Sequence, residues 1–224
     1  MAETQVVDHQ KQQQQPHHHH AHHFISAEAE FEASKQGMWV FLVTEVLMFG
    51  GLFTAYAVFR GLYPDMFYEA HKFLNVKLGC LNTVILITSS LTMVLAVSAS
   101  QRGEKNKTAW FLACTLMLAA GFLIVKYIEY SAKFHHGLLP AGFFHNETIK
   151  HVKAPLFFSL YFIMTGLHGL HVLIGMGLIL WIFTRALKGQ FSSGYYTPVE
   201  LVGFYWHFVD LVWIYLFPLL YLVG

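Results

Sequence analysis

Polar and apolar residues are segregated along this chain into five long apolar runs, residues 38–59, 78–99, 108–128, 155–184 and 199–223, separated by polar connections. A hydrocarbon layer roughly 30 Å thick is crossed by about 20 helical residues, each rising about 1.5 Å. Every run is long enough. Because the runs are unbroken rather than alternating, β-barrel strands are excluded and each run reads as a transmembrane helix. The pattern predicts an all-α polytopic membrane protein, a bundle of five transmembrane helices. Residues 1–36 lack such a run. Their stretch QKQQQQPHHHHAHH is low-complexity sequence that cannot bury enough apolar surface to order itself, so a disordered Gln/His-rich tail is expected. From Ser26, a cap followed by early acids predicts a short lead-in helix. The membrane domain is then residues 37–224.

Composition agrees with the pattern. The chain is 55% hydrophobic and only 12% charged, with 21 Phe among 224 residues, which is too poor in charge for most soluble domains. Its net charge of +1 gives no electrostatic footprint for nucleic acid. Cys80 and Cys114 both lie in apolar runs without a second cysteine nearby and read as small buried hydrophobes. Lys11, Lys35, Arg102, Lys105, Lys107, Arg185 and Lys188 fall on the side of the N-terminus, and the other half of the 14 basic residues falls opposite. Charge alone therefore does not orient the protein.

The candidate chemistry is polar residues where lipid should forbid them. Glu45 lies seven residues after Met38, about 10 Å along the first run, beyond the reach of a short side chain to water. An ionised carboxylate there costs at least about 2.5 kcal/mol, so it should face protein or a polar cleft. In the second run Asn82, Ser89 and Ala96 recur every seven positions, a small hydrogen-bonding face suited to close helix contact. In the fourth, Thr165, His168, His171 and Gly175 share a face. His207 and Asp210 in the fifth are three apart and neighbours, and Lys126 and Glu129 can pair at the end of the third. Helix-packing contact is the simplest role for each residue alone.

Together these groups allow a proton relay, or a haem held between His168 and His207. Against a transporter, no internal repeat is evident. Against haem, His168 shares its helix with glycines typical of packing. A two-Cys copper pattern, HExxH, GxxxxGKS and a Ser-His-Asp signature are missing from the sequence. Trp39, Trp110, Trp181, Tyr195 and Tyr196 lie near span ends, as interfacial rings do. Lys77, Arg102, Arg60 and Arg185 could each offer a lipid headgroup a cation.

Five motifs in order, WVFLVTEVLMFGGLF around Glu45, LNTVILITSSLTM from Leu81, KYIEY from Lys126, TGLHGLHVLIG from Thr165 and YWHFVDLVWIYLFPLLYL from Tyr205, resemble subunit III of the haem-copper cytochrome c oxidases. The resemblance covers residue 37 onward, and the chain resembles the short, five-helix bacterial form that lacks the first two of seven helices. It implies an accessory, non-redox subunit of a terminal oxidase in aerobic respiration. Such a subunit braces catalytic subunit I directly, contacts subunit II and further respiratory-complex subunits, binds phospholipid and supports proton uptake. It carries no cofactor itself; haem and copper belong to partner subunits I and II. Glu45 matches the family's intramembrane carboxylate, and Glu129, His168, His171, His207 and Asp210 fall in motifs that line lipid and helix contacts. The implied location is the bacterial plasma (inner) membrane, with the N-terminus cytoplasmic and the C-terminus periplasmic. Subunit III of a quinol oxidase is the alternative on the same fold.

Overall fold

A computed structural model describes residues 27–135, 138 and 154–222. The Gln/His-rich stretch and its expected disorder lie outside the described residues. The elements are α1 (Ala27–Leu62), α2 (Pro64–Ala70), a 3-10 turn (His71–Phe73), α3 (Val76–Gln101), α4 (Lys105–His135), α5 (Ala154–Leu187), α6 (Thr197–Phe217) and a closing π-helical turn (Pro218–Leu222). No strand is present among the described residues. Five helical stretches, Ala29–Leu62, Val76–Gln101, Lys105–His135, Pro155–Leu187 and Thr197–Leu222, are long and apolar enough to span a membrane. The expected all-α polytopic bundle is the observed architecture.

The chain divides into two compact units, Met1–Gly37 and Met38–Gly224. In the described part of the first, Ser34 Oγ donates to the Glu30 carbonyl at 2.8 Å and Lys35 Nζ sits 4.1 Å above the Phe31 ring. All that follows concerns the second.

These helices are apolar on every side, so hydrophobicity does not mark the face that packs. Small and polar residues do. On α3 the buried positions run through Gly79, Asn82, Leu86, Ser89, Met93 and Ala96, and on α4 through Thr108, Leu112, Thr115, Ala119, Phe122, Lys126, Glu129 and Lys133. Both follow alternating steps of three and four, the repeat of helices that coil around each other. The stripe of Asn82, Ser89 and Ala96 is fully buried. Helix α3 packs on α4, α4 on α5, α5 on α6 and α6 on α3, closing a four-helix ring.

Turn chemistry lets α4 run back along α3. Asn75 caps α3 by accepting from the Lys77 and Leu78 amides at 3.1 and 3.3 Å. At its other end Gly103 has φ 73°, the left-handed geometry that glycine adopts without penalty. There the Glu104 amide donates to Ala99 and the Gly103 amide to Ser100, both at 3.0 Å, so α4 can start at once.

Helix α1 lies on the α5 and α6 side. Its inward stripe is Met38, Leu42, Glu45, Phe49, Leu52, Tyr56 and Phe59, again in steps of three and four. Phe49 packs edge-on against His171 of α5 and also meets Phe208 of α6, and Tyr56 Oη donates to the Leu219 carbonyl at 2.6 Å. Leu47 and Val58 of α1 face outward, as do Leu91 of α3 and Leu173 of α5, which suits side chains whose solvent is lipid.

Two features went unforeseen. Residues 61–77 contain α2, where Pro64 starts the helix and Met66, Phe67 and Ala70 are buried; Phe67 packs edge-on between Tyr56 and Phe157. The last span also widens into a π turn at Pro218, whose missing N–H cannot continue the α-helical ladder.

Close approach at Gly175 yields a prediction. A Cβ there would lie 2.8 Å from two atoms of the buried Trp206 ring and 3.2 Å from Tyr205, and the Trp206 indole is itself held by Nε1 donating to Ser89 Oγ at 3.1 Å. Gly175→Ala is expected to lower stability by about 1–3 kcal/mol in detergent unfolding. Gly177→Ala, with nothing within 4 Å, should not.

Candidate functional site

The seven candidate residues occupy several separate settings. Glu45 is on the inward stripe of α1, and its Oε2 lies 3.0 Å from His171 Nε2 on α5. The two side chains are only 16% and 9% exposed, so the carboxylate faces protein as expected. His171 Nδ1 lies 2.7 Å from the Leu167 carbonyl, to which it can only donate, so Nδ1 carries a hydrogen. The bond to Glu45 then requires one more proton, on either the imidazole or the carboxyl. Either way the pair is neutral overall, which makes burial in a helix contact tolerable. Tyr205 Oη donates to the His171 carbonyl at 3.1 Å, and Phe41 stacks on the Tyr205 ring.

Glu129 is in a second setting, near the far end of α4. Its Oε2 accepts from Lys126 Nζ at 2.8 Å, and its Oε1 accepts from Lys133 Nζ at 2.9 Å and from Tyr221 Oη at 2.6 Å. Lys126 also donates to Tyr221 Oη at 2.8 Å and lies 4.5 Å from the centre of the Trp213 ring. All three charges are buried. The expected Lys126–Glu129 pair is present, but Lys133 and Tyr221 were missed. Spacing gave the signal for Lys133, four residues beyond Glu129 on the same helix; no local pattern gave one for Tyr221, which is 92 positions away.

The other four candidates differ in kind. His168 is fully buried, packed edge-on against Phe122 and tilted against Trp213, and neither ring nitrogen has a hydrogen-bond partner. Asn82 is also fully buried and makes no side-chain hydrogen bond, so the polar face expected of α3 is hydrogen-bonded at Ser89 rather than at Asn82. His207 Nδ1 lies 2.7 Å from Ser90 Oγ of α3. Asp210 is buried without a hydrogen bond of good geometry. The three-residue spacing of His207 and Asp210 sets them on one side of α6, yet they do not bond to each other. Among the described residues, no cluster of three or more His, Cys, Asp or Glu side chains could hold a metal ion.

Compared with known proteins, residues 15–224 match the family model of cytochrome c oxidase subunit III. The chain belongs to that family. It is similar to the cytochrome c oxidase subunit 3 of Corynebacterium diphtheriae, with 33% identity over 189 residues that cover 84% of this chain and 86% of the relative. It is also similar to the quinol oxidase subunit 3 of Bacillus subtilis, 31% identical over 197 residues, again covering 84% and 86%. A third relative, from Aeropyrum pernix, is named heme-copper oxidase subunit I+III; this chain is 33% identical over 204 residues, 84% of its own length and 22% of that protein.

Within this subunit III, the motifs that carried the resemblance meet one another, the last of them twice. The first and fourth join through Glu45 and His171. The motif beginning at Leu81 meets the last through Trp213 Nε1, which donates to Thr83 Oγ1 at 3.1 Å. The KYIEY motif meets the C-terminal turn through Glu129 and Tyr221.

Proposed function

We propose that this chain is the accessory, non-redox subunit III of a terminal oxidase, bracing subunit I, retaining phospholipid and supporting proton uptake without a catalytic centre of its own. The observation that carries this reading is that Glu45 and Glu129 are engaged by side chains of this chain itself. Glu45 is engaged by His171 across a helix contact, and Glu129 by two lysines of its own helix and by Tyr221 of the C-terminal turn. A proton path across the membrane would need a connected chain of such groups. His168, with no partner on either nitrogen, stands outside any such chain. The polar residues tie helices into a firm scaffold, and the apolar outer surface is left for lipid and neighbouring subunits.

In this reading haem and copper reside in subunits I and II, and subunit I is the direct partner, which the relative named for subunits I and III together supports. The membrane is the bacterial plasma membrane, with the N-terminus in the cytoplasm and the C-terminus in the periplasm. Cytochrome c is the electron source by the C. diphtheriae relative, and quinol is the second reading by the B. subtilis relative. A dinuclear copper motif in the accompanying subunit II decides between them.

Glu45→Gln tests the role. It replaces a charge-capable acceptor facing His171 and should weaken the α1 to α5 bond by about 1–2 kcal/mol. The purified oxidase is expected to keep its full haem content but to lose activity sooner during turnover, or to retain less phospholipid per haem. Loss of the haem spectrum would overturn the accessory role.

A further inference from the structure

Inside the hydrocarbon layer, polar side chains are satisfied within their own chain or face another chain. On the outer seam between α3 and α6 they are not fully satisfied within this one. Ser90 Oγ occupies His207 Nδ1, but the half-buried His207 has no partner for Nε2 among the described residues. One turn on, Asp210 is 4% exposed, and its carboxylate, beside Ser90, has no hydrogen bond of good geometry. Ser90 and Asp210 line a groove of about 270 Å³ whose walls include Ile87, Leu91, Val94 and Ile214, all exposed.

Depth restricts what can fill the groove. His207 is ten residues from Thr197 and fifteen from Leu222, about 15 Å and 22 Å along the span. A phospholipid headgroup stays at the membrane surface, and an acyl chain that reaches this depth offers no hydrogen bond. A helix of another subunit offers both apolar volume and a polar side chain.

We propose that the α3–α6 seam receives a transmembrane helix of oxidase subunit I, a polar side chain of which hydrogen-bonds to the cluster of Ser90, His207 and Asp210. This rests on the subunit III reading, and it goes further by naming the face that docks. The contact explains why Ser90, His207 and the buried Asp210 lie together behind a mainly apolar groove at mid-membrane.

The test uses the whole oxidase purified from its membranes. With p-benzoylphenylalanine in place of the exposed Leu91, irradiation is expected to join this chain to subunit I. With His207→Leu, the chain is expected to leave the complex in detergent about tenfold faster or more, the effect of losing one buried hydrogen bond to a polar partner. If the seam faced lipid, His207→Leu would hold as firmly as the native residue or better. Adducts with lipid alone, with a second copy of this chain or with a different protein, while subunit I still co-purifies, would overturn the docking proposal and leave the subunit III reading standing. A preparation in which subunit I never accompanies the chain would overturn that reading, and the proposal with it.

Discussion

Glu129→Leu is expected to destabilise the membrane domain by about 3–5 kcal/mol, the effect of removing one partner from a buried ionic cluster. Lys126 and Lys133 have side chains only 9% and 4% exposed, and both direct Nζ at this carboxylate. Without it two ammonium groups face each other in a dry helix contact, and Tyr221 Oη loses its acceptor. Replacing all three charges together, Lys126→Met with Glu129→Leu and Lys133→Met, should restore most of the loss, because well-packed apolar groups of similar volume often match or exceed a buried ion cluster. Unfolding in mixed detergent, followed by the fluorescence of the buried Trp206 and Trp213, measures both. A loss below about 1 kcal/mol for the single variant would show that the lysines find other acceptors.

Trp213→Ala is expected to cost about 3–5 kcal/mol by the same measurement. The ring is fully buried and meets Phe122 edge-on at 5.1 Å, His168 at 5.3 Å and Lys126 Nζ at 4.5 Å, while Nε1 donates to Thr83. Alanine removes a packing partner from three helices and takes a π-face from a desolvated cation, a contact of about 2 kcal/mol. Trp213→Phe keeps an aromatic ring in place and should lose less than half as much. Equal losses for the two variants would mean that the indole hydrogen bond, rather than the packing, dominates.

What the sequence made legible follows from the membrane as solvent. Span number was readable because an apolar run of sufficient length has no other use. The packing face of α3 was readable because Asn82, Ser89 and Ala96 stand out against a uniformly apolar background, and all three are buried. The shelter of Glu45 was readable as a requirement, but its partner was not. Any of several polar residues on other helices would have met the need, and helix spacing carries no information about which helices adjoin. The same limit applies to His207, whose neighbour in sequence is Asp210 but whose hydrogen bond goes to Ser90 on another helix. Helix α2 was hidden by its brevity: PDMFYEA holds a starting proline and an apolar face, but seven residues give little periodicity. Lys133 was discounted with the basic residues of a connection, because α4 continues through His135, beyond its apolar run.

The most direct measurement of the central claim is the haem spectrum of the complex before and after this chain is stripped from it. Purified through a tag on subunit I and then washed free of subunit III in detergent, the complex should keep its entire haem absorbance and copper content with subunit I and its companion subunit, while the released chain is colourless. Haem absorbance that leaves with the released chain, and disappears when His168 or His207 is replaced, would contradict the account.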